Sequence, residues 1–451
     1  MKSPEPSGDP GSARPSPTSP NGRRAAGDDG GFRSYLDHFA RKLRSGELGP
    51  IPGIAGVIVI WIIFQSLQPQ FLSPRNLSNL SVDIVGTGMI ALGIVFVLLL
   101  GEVDLSVGSV SGLTAAVFAV LNVQHSLPEW LAILAALVVG AAIGAVQGFF
   151  AARIGVPAFV VTLAGLLAWN GLMLFALGAS GTINLPEQGV ISALTSYTFQ
   201  DPAVAYGLAT LAVAGFVLAS YQGARRRRAV GVLSRPVGVI AARTAAVALV
   251  AFGAAYVLNR FEGLPLALLV FLVFVVGLDF VLRRTFYGRR LVSIGGGAEA
   301  ARRAGLNVVW LRISAFMVSG TMAAIGGLFL ASRVAAVGQT SGSSILLINA
   351  IAAAVIGGVS LFGGRGTTWS VLLGMLVIQS IASGMVLAGI PTPMQYVITG
   401  GVLLAAVTLD SLSRHSQKAH GRGGGGRAGG GGGGPPRGGG PAPRGGGGAP
   451  R

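Results

Sequence analysis

The sequence predicts an all-α, polytopic membrane protein of about 10–12 transmembrane helices flanked by disordered tails, and three observations carry that reading. Of 451 residues, 51% are hydrophobic and only 11% charged, against roughly 25% charged in soluble domains. Mean hydropathy is +0.68. The charge is also clustered: of 33 Lys and Arg, 28 fall within 1–50, 225–243, 283–312 and 414–451, hydrophilic segments separated by apolar runs. The net charge of +17 therefore belongs to tails and loops beside anionic membrane lipid, and no nucleic-acid partner is expected. With no cysteine, disulfides and thiolate metal sites are excluded.

Residues 1–50 are Pro/Ser/Gly-rich and then mixed in charge, without the apolar core of a cleavable signal peptide. They read as a disordered tail leading to a short amphipathic stretch near Phe32–Leu43. The membrane-spanning body covers 51–412. Its apolar segments are 51–68, 83–100, 106–122, 130–152, 158–178, 203–221, 239–258, 264–282, 309–331, 345–361, 368–389 and 394–410. Apolar residues surround each of them, and backbone polar groups in lipid must pair internally, so each is expected to be a helix. The 106–122 and 345–361 segments are short and carry Gly and Ser, which points to broken or partly re-entrant helices. Residues 413–451 are Gly/Pro/Arg low complexity and read as a second disordered tail.

Threading twelve spans with the amino terminus inside places both tails, 222–238 and 283–308 in the cytoplasm, with Arg153 and Arg365. Only Arg75, Arg260 and Arg333 fall outside, the asymmetry that the positive-inside rule requires. A faint internal echo accompanies this: Gln147 followed by GVPAFVVT at 155–162 is similar to Gln379 followed by GIPTPMQYVIT at 389–399. The two lie at opposite faces, as in an inverted repeat where spans two to five mirror nine to twelve. Chance similarity between apolar helices is the alternative.

The search for chemistry is mostly one of elimination. The only lysines, Lys2, Lys42 and Lys418, lack the Gly-Lys-[Ser/Thr] setting of a phosphate-binding loop. His38, His125, His415 and His420 lie in tails or a loop, so no catalytic residue, metal site or resident cofactor is expected. Gly295-Gly296-Gly297-Ala298-Glu299-Ala300 imitates a dinucleotide motif, but Arg302, Arg303 and a membrane span follow where a strand and an acid are needed. Its glycines read as a turn leading into a short helix at about Ala298–Ala304. The polar segment 283–312, with seven Arg and Glu299, is expected to dock a soluble partner, with a well-solvated basic loop as the alternative.

A second stretch, GEVDLSVGS at 101–109, sets Glu102 and Asp104 beside apolar segments, where ionisable groups are costly unless paired or wet. Either it lines a gate at a helix break or it is a tight turn in which Ser106 or Asp104 caps the next helix. Among polar residues inside spans, Gln147, Asn170, Asn349 and Gln379 are candidates for the substrate pathway, with helix-to-helix bonding as the plainer role. Gly140, Gly144 and Gly148, four apart, predict a close helix contact.

These blocks resemble the membrane permease subunits of monosaccharide ABC importers over about 51–412. GEVDLSVGS, GVPAFVVTLAGLLAWNG at 155–171, GRRLVSIGGGAEAARRAGLNV at 288–308 and AIAAAVIGGVSLFGG at 350–364 carry the resemblance. The extra hydrophilic insert and span around 222–258 and the closing IPTPMQYVITGGVLLAAVTLDS are most similar to the xylose type. Gly297 departs from the Asn usual there. The resemblance implies a homodimeric sugar pathway in the inner membrane, served by an extracytoplasmic sugar-binding protein. ATP would be bound by a separate cytosolic ATPase seated on Gly288, Arg289, Arg290, Gly295, Gly296, Glu299, Arg302, Arg303 and Gly305. An ion-coupled secondary sugar transporter, with Glu102 or Asp104 as the coupling carboxylate, is the alternative.

Overall fold

A computed structural model describes residues 51–229, 237–405 and 408. Both predicted tails, the Phe32–Leu43 stretch and 230–236 lie outside the described residues. Every apolar segment within them forms a helix. In chain order these are α1 (Ile51–Leu67), α2 (Pro74–Leu99), α3 (Val107–Ala119), α4 (Glu129–Phe149) and α5 (Ala158–Leu177). After the short helix α6 (Val190–Ser196) come α7 (Pro202–Ala229), α8 (Val237–Asn259) and α9 (Leu266–Arg284). The polar segment folds as α10 (Phe286–Gly296) and α11 (Ala298–Arg303), followed by α12 (Val308–Val334), α13 (Ser344–Ile356), α14 (Thr368–Leu387) and α15, residues 392–405. Among the described residues, nine helices are long and apolar enough to cross a membrane.

The expected start of the second span at 83 is corrected to 74. Pro74 stands in the first turn, and the Ser73 side chain accepts from Asn76 N–H, so capping rather than hydropathy sets the start. A second correction concerns the glycines at 295–297. Gly295 and Gly296 form the last turn of α10, and the break comes only at Gly297.

α2 is the central helix, with 89% of its apolar window buried. α12 packs on both α2 and α4. Added Cβ atoms at Gly140 and Gly144 would stand 2.5 Å from Gly320 O and 2.2 Å from Phe316 O. The glycine row thus brings α4 and α12 into backbone contact, as its spacing predicts.

Successive connections alternate between two ends of the bundle. At one end, β1 (Thr182–Asn184) pairs antiparallel with β4 (Ala336–Gly338), and β2 (Thr198–Phe199) with β3 (Leu264–Pro265). Glu129 there caps α6, accepting from Val190 N at 2.7 Å and Ile191 N at 2.5 Å. At the other, basic end, residues 99–106, 285–307 and 357–367 converge.

The helix lengths follow the order long, short, medium in α2–α4 and again in α12–α14. The two short members, α3 and α13, begin beside each other. Gly108 and Gly112 lie against Ser343 and Gly342, where added Cβ atoms would come within 3.2 and 2.7 Å of backbone. Two half-helices thus direct their N-termini, the positive ends of their dipoles, towards one region inside the bundle.

Candidate functional site

The site is built from three separated stretches that meet at the basic end. α10 begins where Thr285 Oγ1 accepts from Gly288 N at 3.3 Å. Its 3.6-residue period buries Gly288, Leu291 and Ile294 and exposes Arg289 and Arg290. The Arg289 guanidinium lies over the Phe286 ring, 4.7 Å from its centroid. α11 buries Ala301 and exposes Arg302 and Arg303, the latter weakly paired with Glu299 at 3.4 Å. Gly305, at φ +79°, closes it, with Leu306 N donating to Ala301 O, and Asn307 then caps α12 by accepting from Trp310 N. The result is a two-helix cationic platform with one greasy side facing the bundle.

Beneath the platform is a glycine knot. A Cβ on Gly295 would lie 1.8 Å from Leu99 O and 2.5 Å from Gly364 N, and one on Gly363 2.8 Å from Gly101 N. Gly364 N donates to Leu99 O at 2.9 Å. Three chain crossings therefore stack with no side chain between them. Gly296, one residue on, faces open space.

From the knot runs the 101–106 segment, and both of its carboxylates are engaged. Glu102, 9% exposed, forms an ion pair with Arg312 on the second turn of α12. Burial pushes the Glu102 carboxyl above its usual range, and Arg312 opposes that shift. Asp104, 2% exposed, accepts through Oδ1 from Ser106 N (3.0 Å) and Ser106 Oγ (2.7 Å) and through Oδ2 from Ser319 Oγ of α12 (3.0 Å). Gln147 of α4 joins by donating to Ser106 Oγ at 2.8 Å. Glu102, Asp104, Ser106 and Gln147 thus form one buried clamp around the start of α3. Ser106 is the α3 N-cap residue, yet its side chain makes no cap bond, so Asp104 supplies the acceptor there.

The remaining pathway candidates do not join it. Asn170, Asn349 and Gln379 are half-buried, and none of the hydrogen bonds of the cluster reaches them. Asn349 Oδ1, on α13, is buried without a partner among the described residues, as is Trp169 Nε1. Sequence reasoning missed Ser319, Arg312 and Trp169. Arg312 was visible only as one more charge in a basic run, and Ser319 carried no signal at all. No group of three or more metal-binding side chains occurs among the described residues.

A bundle of many apolar helices with a cationic platform packed against a helix break fits a membrane transport component. The chain belongs to the family described as branched-chain amino acid transport system / permease component, whose pattern matches residues 76–407. It is 37% identical to the xylose transport system permease protein XylH of Escherichia coli K12 over 82% of this chain and 94% of that protein. It is also 31% identical to the L-arabinose ABC transporter permease protein AraH of Azospirillum brasilense, covering 80% and 88% of the two chains. With the ribose import permease protein RbsC of Bacillus subtilis the identity is 30%, over 81% and 92%. No solved structure matches the chain. The chain is thus a multi-pass membrane permease of the ABC type, and the ion-coupled alternative is set aside.

Proposed function

We propose that this permease forms, as a homodimer, the inner-membrane path for a monosaccharide, a pentose such as xylose first among candidates. A separate cytosolic ATPase drives it, and an extracytoplasmic sugar-binding protein delivers the sugar. The names of its relatives support the substrate class. The observation that carries the mechanism is the platform of α10 and α11, which seats through Gly295 on the backbone of Leu99 and, by way of Gly363, bears on Gly101 beside the Glu102–Asp104 clamp. Force applied to the platform by nucleotide-driven closure reaches the start of α3 without passing through a flexible side chain.

The basic end faces the cytoplasm on this reading, in keeping with the positive-inside rule, and both termini lie there. Arg289, Arg290, Arg302 and Arg303 orient the ATPase, with Glu299 as local counter-charge. The unpartnered Asn349 oxygen and Trp169 N–H offer hydrogen bonds to neutral hydroxyls in the pathway. Asn170 and Gln379 are further pathway candidates.

ATP-dependent uptake of labelled pentoses and hexoses in vesicles holding permease, ATPase and binding protein tests the assignment. Uptake without ATP or the ATPase refutes it. Replacing Arg289, Arg302 and Arg303 by Glu is expected to abolish co-purification of the ATPase without loss of the folded permease. Unchanged co-purification removes these residues from the docking surface.

A further inference from the structure

α7 and α8 pack chiefly on each other, and 11% and 0% of their apolar windows are buried. Near β2 and β3 they are tightly joined: Ala205 and Ala209 meet Ala255 and Leu258, and the Tyr206 and Phe252 rings stack at 6.4 Å. Towards the other end the pair opens around a cavity of about 270 Å³. Phe216, Ala219, Gly223 and Arg227 line it along one face of α7, at helical spacing, and Ile240 and Arg243 line it from α8.

We infer that this cavity binds one anionic phospholipid, its phosphate between Arg227 and Arg243 and an acyl chain along Phe216, Ala219 and Ile240. Two guanidinium groups from different helices line one small space, and residues 202–261 contain no Asp or Glu to neutralise them. Neither makes an ion pair among the described residues. Two like charges brought together in this way are stabilised by an anion between them. Apart from Ser220, the remainder of the lining is apolar and has no use for a free phosphate, whereas it suits a chain of methylenes. Exposed Tyr221, one turn before Arg225, marks the level of the headgroups. Two crossings, α8 and α9, separate the cavity's mouth from the α10–α11 platform, so both open at the same basic face, where anionic lipid is attracted.

The test is native mass spectrometry of the purified full-length permease, titrated with dioleoyl phosphatidylglycerol or with dioleoyl phosphatidylethanolamine. Phosphatidylglycerol is expected to bind one molecule per chain more tightly than phosphatidylethanolamine. R227Q/R243Q is expected to weaken it about 30-fold, roughly fivefold for each arginine at the membrane surface. R225Q/R226Q removes the same charge outside the cavity lining and stays within about threefold of the parent. G223F fills the space that stands open beside Gly223 while keeping both charges, and weakens binding about tenfold. The inference is overturned if the two double variants lose affinity equally, if G223F binds like the parent, or if phosphatidylethanolamine binds as well. Displacement of the lipid by millimolar glycerol phosphate overturns it too, since the headgroup alone would then account for binding. None of these readouts depends on transport, so they stand apart from the assignment of substrate or ATPase.

Discussion

Gly295 and Gly296 are neighbours in the last turn of α10, identical in chemistry, and the structure gives them opposite fates. A methyl group on Gly295 would meet Leu99 O at 1.8 Å and Gly364 N at 2.5 Å, roughly 1.5 Å short of ordinary contact. Both obstacles are backbone atoms joined by the 2.9 Å Gly364–Leu99 hydrogen bond, so no rotamer change relieves the clash. The platform must lift from its seat or the hydrogen bond must break, at about 1–3 kcal/mol for overpacking of this size. Gly296→Ala meets nothing within 4 Å and gains up to about 1 kcal/mol of helix propensity. Purified variants heated before size-exclusion chromatography should show G295A melting about 2–6 °C below the parent and G296A at or above it. In reconstituted uptake, G295A is expected to fall about tenfold, because the platform no longer bears on the 99–101 segment, while G296A stays within about twofold. Equal behaviour of the two variants in both assays refutes the seat.

Three other outcomes follow from the clamp and the helix contacts. R312A leaves Glu102 buried and unpaired and is expected to cost about 1–3 kcal/mol in the same thermal assay, with E102Q, a neutral isostere that removes the buried charge, costing less than half as much. D104A strands two donors, Ser106 N and Ser319 Oγ, while Ser106 Oγ can still donate to Gln147 Oε1 at 3.1 Å, and is expected to lose about 2–3 kcal/mol. D104N keeps one acceptor oxygen and should retain uptake within about twofold; abolished uptake in a normally folded D104N would make the charge itself essential. G144V drives a branched side chain into Phe316 O, 2.2 Å from the Cβ position, and is expected to leave no monodisperse protein after detergent extraction, whereas V146A on the exposed face of α4 changes nothing measurable.

The helices were legible because lipid imposes one solution on an apolar run, and hydropathy marks it directly. The helix starts at 74 and 286 were less so, since Ser73 and Thr285 act through side-chain caps in otherwise polar sequence. The Gly140, Gly144 and Gly148 row announced its own contact through spacing. The glycine knot did not: Gly101, Gly295 and Gly363 are far apart in the chain, and only their convergence shows why each lacks a side chain. The clamp was half visible. Glu102 and Asp104 drew attention as carboxylates beside apolar segments, but their partners, Arg312 and Ser319, are more than 200 residues away. Asn170, Asn349 and Gln379 were grouped with them by polarity alone, a criterion that cannot distinguish one helix face from another.

The spacing of the two clamp partners explains how the platform and the helix break act together. Arg312 and Ser319 are seven residues apart on α12, close to two turns, so they lie on one face about 10.5 Å apart along the axis. Glu102 and Asp104, two residues apart in an irregular segment, bridge to those two levels. α12 is thereby gripped twice by the stretch that opens α3. It is also tied to α10, since Ser314 Oγ donates to Tyr287 OH at 3.1 Å. The adjoining face of α12, at Phe316 and Gly320, is locked against α4 by Gly140 and Gly144. On the proposed reading, a displacement of α10 is passed to 99–106, the start of α3 and the lower half of α12. α3 in turn meets the N-terminus of α13 through Gly108 and Gly112, so the body that moves carries one of the two half-helices past the other. On that reading the relative motion would change the opening between them, as alternating access requires of a permease driven by a separate ATPase.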